Sequence, residues 1–65
     1  MYRQFELTTE DGATLVCWIE DEPRLKVGAW LTLKEIPGVR WRIEKAYNFK
    51  ALHHQTRRWK VGGLS

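Results

Sequence analysis

The sequence predicts an all-β fold, either a small barrel or a strongly bent sheet of four to five short antiparallel strands. Apolar and polar residues alternate along most of the chain with the two-residue period of β-strands. Asp11-Gly12 and Pro37-Gly38 provide turn signals between the apolar runs. No segment of useful length has helical periodicity, and bending or closure protects the exposed edges of a small sheet.

The first two strands are predicted to form a hairpin. Phe5 and Leu7 alternate with polar neighbours, which is typical of a half-buried strand. Asp11-Gly12 then predicts a tight turn. The second strand, residues 13–19, is apolar on both faces, which indicates a central strand or one that bends between two sheets.

A second hairpin is predicted after a polar loop around Pro23, which ends the second strand. The third strand, residues 29–34, places Leu31 and Leu33 on one face. Pro37-Gly38 predicts the turn into the fourth strand, residues 39–47. That strand has the clearest alternation, with Val39, Trp41 and Ile43 on one face and Arg40, Arg42 and Glu44 on the other.

The alternation weakens after Tyr47. Residues 48–55 are predicted as a loop with a short helical turn through Phe49 and Leu52, although their course is left open. Residues 57–61 are predicted as a last short strand with Trp59 facing inward, followed by a terminus that frays or closes the barrel loosely. A chain of 65 residues has room for a single domain, so the predicted domain spans 1–65.

One segment resembles a known architecture. Val27-Gly28-Ala29-Trp30-Leu31-Thr32-Leu33-Lys34 resembles the loop-to-strand entry of SH3-like small barrels, which commonly reads hydrophobic-Gly-Asp-x-Val-x-Leu. Ala29 stands where that pattern often has Asp. The Pro-Gly turn and Trp41-Arg42-Ile43 fit the same architecture, so the resemblance covers about residues 25–47. SH3-like barrels bind RNA, DNA or peptides or assemble virions, so the resemblance implies a fold and leaves the function open.

Charge divides unevenly between the two halves of the chain. Residues 1–38 contain four basic and seven acidic residues, whereas residues 39–65 contain seven basic residues and one acidic residue, Glu44. A basic segment that also carries aromatic residues points to a polyanion as partner. The alternative is a solvated basic face that keeps a tryptophan-rich domain soluble.

The function predicted from this pattern is non-enzymatic binding of nucleic acid, DNA or RNA, with limited sequence preference. Arg40 and Arg42 share one exposed strand face roughly 6.5–7 Å apart, which matches the spacing of consecutive phosphates. Trp30 points away from the core and can stack on an unpaired base, cap the barrel or anchor a protein. The predicted binding set is Trp30, Arg40, Arg42, Lys45, Lys50, Arg57, Arg58 and Lys60.

The alternative prediction is a protein-interaction or assembly module, for example a viral accessory protein, an inhibitor or a virion component. Tryptophan and arginine are the usual hot spots of protein interfaces. The acidic run at residues 20–22 could also pair with the basic face of another copy and form a homo-oligomer.

Other classes find little support in the sequence. No catalytic motif or glycine-rich phosphate loop is evident, so neither an enzyme nor a cofactor is expected. Cys17 and the adjacent pair His53-His54 do not supply the four ligands of a structural zinc site, so no metal is expected. Because no apolar run approaches the ~18 residues of a membrane helix and no signal peptide is recognisable, we expect a cytoplasmic protein of a bacterial or virus-infected cell.

Overall fold

The computed structural model describes residues 1–51 and 58–64, with the backbone alone described at 49–51 and 58. Within these ranges the chain is all-β and contains no helix, as the sequence predicts. The strands are β1 (Tyr2–Thr8), β2 (Thr14–Glu20), β3 (Trp30–Leu33), β4 (Ile36–Ala51), β5 (Arg58–Trp59) and β6 (Val61–Leu64).

All six strands belong to one sheet with the order β5-β2-β1-β4-β3-β6. Four of the five described pairings are antiparallel, and the two-residue β5 lies parallel beside β2. The strands β5 and β6 stand at opposite ends of this order, yet only Lys60 separates them in the chain. The sheet must therefore curl until its two ends meet at Lys60. Since the hydrogen-bonded order itself stays open, the protein adopts the bent-sheet form of the prediction.

The predicted hairpin of β1 and β2 is confirmed. The two strands pair from Tyr2 with Glu20 to Thr8 with Thr14. At the turn, the Gly12 N–H donates to the Thr9 carbonyl oxygen over 3.1 Å, and Gly12 has a φ of 98°. A residue with a side chain adopts that left-handed conformation at a cost, which explains why the Asp-Gly signal identifies this turn.

The interpretation of β2 as a central strand holds for its second half. The strand β5 pairs with β2 at Trp18 and Ile19, so β2 has a described neighbour on both sides there. Val16 lies before that overlap and is 48% exposed. The apolar outer face of β2 is therefore partly open to solvent.

The prediction of a turn at Pro37-Gly38 is wrong. The chain turns at Lys34 and Glu35 instead, and Pro37-Gly38 lies inside β4. Leu33 pairs with Ile36 whereas its neighbour Thr32 pairs with Arg40, so residues 37–39 form a bulge. Gly38 has a φ of 86° in this bulge. A Pro-Gly pair suits a bulge as well as a turn, because proline cannot donate to a strand ladder and glycine tolerates positive φ.

The C-terminal part also departs from the prediction. The strand β4 continues to Ala51, where it pairs with Tyr2, so residues 48–51 form a strand and not the predicted loop. Residues 52–55, with Leu52 of the predicted helical turn, lie outside the described residues. The predicted last strand is present as β5 and β6, and Gly62 and Gly63 belong to β6, which pairs with β3.

The inner surface of the curled sheet holds one apolar core. Among the described residues no polar or charged side chain is buried, so the charges lie on the outer face and in the loops. Alternation along the strands therefore decides which side chains face the core and which face solvent. The core consists of Phe5, Leu7, Cys17, Ile19, Leu25, Leu31, Leu33, Trp41, Ile43 and Trp59.

Candidate nucleic-acid interface

The outward-facing residues of β3 and β4 include three members of the predicted binding set. Trp30 pairs with Arg42 across these strands, and Arg40 pairs with Thr32 one step further along. Their strand neighbours Leu31 and Trp41 are buried, so Trp30, Arg40 and Arg42 project outward together. We call these three residues the outer β3–β4 face. Their predicted orientation is confirmed.

Trp30 and Arg40 are in direct contact on this face. The Arg40 guanidinium carbon lies 4.6 Å from the centroid of the Trp30 ring, which is a cation–π geometry. Trp30 is half-buried, and the Arg40 side chain is 56% exposed. The indole is therefore held in place by its neighbours while the charge beside it remains accessible.

Both arginines also have carboxylate partners. Arg40 Nη1 lies 3.5 Å from Glu10 Oε1, and Arg42 Nε donates to Glu44 Oε1 over 2.9 Å. A second Arg42 nitrogen donates to the same Glu44 oxygen. The hydrogen bond from Arg42 lowers the pKa of Glu44 below its ordinary value, so Glu44 is ionised at neutral pH. Exposed ion pairs of this kind contribute little to stability because solvent screens them, so an incoming ligand can replace them.

A cavity of about 270 Å³ opens beside the outer β3–β4 face. Trp30 and Arg42 form part of its wall, and Arg40 does not. Arg40 instead lines a neighbouring groove of about 380 Å³ with Gly38, Val39 and the β1–β2 turn. The guanidinium stacked on Trp30 thus leaves part of the indole open toward the cavity. The described residues lining the cavity are Thr8, Thr9, Glu10, Trp30, Arg42 and Glu44.

Lys45 extends the charged surface toward β1. Ile43 pairs with Leu7, whereas Lys45 pairs with Glu6, so β4 has one extra residue between these two pairs. This bulge reverses the alternation, and Lys45 is exposed while the next residue, Ala46, packs against the core. Lys45 therefore lies on the outer surface, across from the acidic Glu6 of β1.

Lys60 lies in different surroundings. It lines a cavity of about 370 Å³ together with the acidic run at residues 20–22, Lys34 and Val61. Its backbone N–H donates to Glu35 Oε1 over 3.1 Å, and its carbonyl accepts from the Lys34 N–H over 2.9 Å. No ion pair, hydrogen bond or cavity of the described residues joins Lys60 to Arg40 or Arg42.

The remaining predicted residues are placed by their backbone or lie outside the described residues. The backbone of Lys50 pairs with Arg3, and that of Arg58 pairs with Trp18. Arg57 and the pair His53-His54 lie outside the described ranges. The structure thus brings Trp30, Arg40 and Arg42 together and places Lys60 among acidic side chains.

Two acidic residues at this site do not belong to the predicted binding set. Glu44 follows Arg42 by two residues on the same strand face, so the sequence carried a signal for their pairing. Glu10 reaches Arg40 because β1 pairs with β4 through Thr8 and Arg42, and Glu10 follows Thr8 by two residues just as Arg40 precedes Arg42 by two. That register is a long-range property, and no local pattern in the sequence reveals it.

Comparison with known proteins identifies no relative: no family model, no curated protein and no solved structure matches the chain. In the part of the chain that the structure describes, no three His, Cys, Asp or Glu side chains are grouped so that they could hold a metal ion. The described residues also include no helix of the length and apolar character needed to cross a membrane. Function must therefore be inferred from the geometry of this chain.

Proposed function

We propose that this protein is a small, non-enzymatic module that binds single-stranded nucleic acid on the outer β3–β4 face. The observation that carries the proposal is the contact of the Arg40 guanidinium with the Trp30 ring at 4.6 Å, with Arg42 paired opposite Trp30. An aromatic ring flanked by two accessible guanidinium groups offers both interactions that a nucleic-acid strand needs. We also propose that the curled sheet is of the SH3-like type, with Gly28 at positive φ before β3.

The chemistry favours a single strand over a duplex. Bases of a single strand are free to stack on an aromatic side chain, and each such contact contributes about 1–3 kcal/mol. Arg40 and Arg42 supply positive charge at the spacing of neighbouring phosphates. Their ion pairs with Glu10 and Glu44 are exposed, so phosphate or base oxygens can compete for the guanidinium groups.

A titration monitored by tryptophan fluorescence tests the proposal. The protein is mixed with single-stranded DNA, single-stranded RNA and duplex DNA at several salt concentrations. If two phosphates are neutralised, the affinity for a single strand falls about sevenfold between 50 and 200 mM salt. Quenching by single strands with this dependence supports the proposal. Absence of binding at 50 mM salt contradicts it.

Two tryptophan variants locate the site. Trp30 and Trp18 are both half-buried on the outer face, but Trp18 lies on β2, away from Arg40 and Arg42. We expect Trp30→Leu to weaken single-strand binding by about 5- to 150-fold, since it removes one stacking contact. Trp18→Leu is the matched control and should change the affinity less than twofold. Equal losses in the two variants would show that the binding site is not the outer β3–β4 face.

A protein partner is the second candidate, and one observation favours it. Each arginine of the outer β3–β4 face has a carboxylate beside it, so the surface is of mixed charge. Trp and Arg are enriched at the hot spots of protein interfaces. The candidate partners are those of an accessory protein, an inhibitor or a virion component. This candidate predicts an oligomer or complex that resists high salt and buries Trp30. Sedimentation of the native protein and of Trp30→Leu distinguishes the two candidates.

A further inference from the structure

We infer that the cavity beside Trp30 is a pocket for a single guanine base, an inference that rests on the proposed single-strand binding. The cavity volume of about 270 Å³ lies just below the range of roughly 300–1,000 Å³ that holds drug-sized ligands. A space of this size suits one planar base. The walls combine an aromatic ring, a guanidinium group and a carboxylate, which are the groups that distinguish one base from another.

The hydrogen-bonding capacity of the walls is only partly used by the protein. Both described bonds from Arg42 go to Glu44 Oε1. A guanidinium group has five N–H donors, so three remain for a ligand. An ionised carboxylate has about four acceptor sites. Arg42 fills two of them on Glu44 Oε1, and the Thr8 hydroxyl, which also lowers the pKa of Glu44, can rotate away and leave two for a ligand. The Arg42 guanidinium, a donor, and the Glu44 carboxylate, an acceptor, therefore lie side by side on β4 and line the same cavity as Trp30.

Guanine is the base whose edge fits this order of groups. Its Watson–Crick edge presents the O6 acceptor next to two N–H donors, N1–H and N2–H. A carboxylate can accept from both donors while a neighbouring guanidinium donates to O6. Adenine, cytosine and uracil do not present two adjacent donors there. The pair of Arg42 and Glu44 therefore matches guanine alone among the four bases.

The charge of Glu44 also makes the cavity more favourable for a base than for a phosphate group. Glu44 and Glu10 both line the cavity, so a phosphate group placed there would meet two carboxylates. The adjoining groove is lined by Arg40, which supplies positive charge close by. A strand can therefore place one base in the cavity, away from repulsion between phosphate and carboxylates, and a neighbouring phosphate in the groove beside Arg40.

The experiment compares pyrimidine oligonucleotides of about nine nucleotides that differ at the central base alone, which carries guanine, adenine, cytosine, uracil or hypoxanthine. We expect guanine to bind at least about fivefold more tightly than adenine, cytosine or uracil, the lower end expected of a two-bond base contact. Hypoxanthine lacks the N2 amino group and should bind with intermediate affinity. This arm changes the ligand and leaves the protein as it is.

Matched variants assign the recognition to one side chain. Glu44→Gln should reduce the guanine preference to less than twofold, whereas Glu10→Gln, a cavity residue that also pairs with an arginine, should retain it. Equal binding of all five oligonucleotides would overturn the guanine pocket and leave single-strand binding in place. A preference that survives Glu44→Gln would overturn the role of Glu44. Absence of binding to every oligonucleotide would overturn the proposed function and this inference together.

Discussion

Two basic regions of this small sheet differ in what surrounds their charges. On the outer β3–β4 face, Arg40 stacks on Trp30, and each arginine has a single exposed carboxylate partner. At the place where the two ends of the sheet meet, Lys60 lies beside Lys34 but also shares a cavity with the three acidic residues 20–22. The first region combines an aromatic ring with two arginines that have one carboxylate each, whereas the second has no ring at its cavity and places two lysines beside three acidic residues.

The comparison shows that a basic stretch of sequence does not define a basic surface. Arg40, Arg42 and Lys60 all belong to the basic half of the chain, yet the curl of the sheet carries Lys60 to the acidic loop that follows β2. The local potential depends on the residues that the fold places around each charge. Binding therefore depends on which basic residues are removed and not on how many.

The largest expected effect comes from removing two charges from each region. We expect the double variant Arg40→Ala/Arg42→Ala to bind single strands at least tenfold more weakly. On a strand without guanine, where both arginines can contact phosphates, the slope of log affinity against log salt should become shallower by about 1.4, which corresponds to two phosphate contacts. Lys34→Ala/Lys60→Ala removes the same net charge and should change the affinity less than twofold. Fluorescence titrations at matched salt check both variants, and equal losses would mean that net charge alone drives binding.

The sequence predicts some features of this fold and not others. The β1–β2 hairpin and the outward orientation of Arg40 and Arg42 follow from local alternation and a glycine turn, and these predictions are confirmed. Pro37-Gly38 predicts a turn, but the same pair also suits a bulge, and a bulge is what β4 contains. The extension of β4 to Ala51 depends on pairing with β1, which overrides a weak local pattern.

The candidate site likewise has features that the sequence predicts and features that it does not. Trp30, Arg40 and Arg42 were identified because strand periodicity is local. The partnership of Arg40 with Glu10 depends on the register of β1 against β4, and the surroundings of Lys60 depend on the meeting of the two sheet ends. Periodicity gives the side of the sheet on which a residue lies, but it does not give the neighbours from other strands.

A smaller effect is expected where β6 closes against β3. A Cβ atom at Gly62 would lie 3.1 Å from Thr32 Oγ1 and 3.4 Å from the Lys34 nitrogen. We expect Gly62→Ala to lower the free energy of unfolding by about 1 kcal/mol, since overpacking forces the neighbours to move. Gly63→Ala is the control, because its nearest contact is at 3.4 Å and one side-chain atom alone is involved. Urea unfolding measures both, and equal stabilities would indicate that β6 does not pack closely against β3.

A still smaller effect should follow from removing a competing carboxylate. Glu10 pairs with Arg40 at 3.5 Å, so Glu10→Gln frees that guanidinium for a phosphate. We expect single-strand affinity to rise two- to threefold, in line with the ~0–1 kcal/mol of an exposed ion pair. Glu22→Gln is the matched control because it breaks the Glu22–Arg24 pair in the loop after β2, with the same change in net charge. A rise of equal size in both variants would point to net charge and not to the local pair.

The smallest expected effect is the pH dependence of the guanine preference. The hydrogen bond from Arg42 holds the pKa of Glu44 below its ordinary value of 4.5, so this carboxylate stays ionised from pH 8 down to about pH 5. The ratio of guanine to adenine affinity should therefore be constant over that range and fall at lower pH, as Glu44 is protonated and loses its capacity to accept from two donors. In the proposed arrangement Glu10, which lines the same cavity, does not contact the guanine edge. A ratio that falls between pH 8 and 6 would assign the recognition to a group other than Glu44, since no carboxylate with a lowered pKa titrates there.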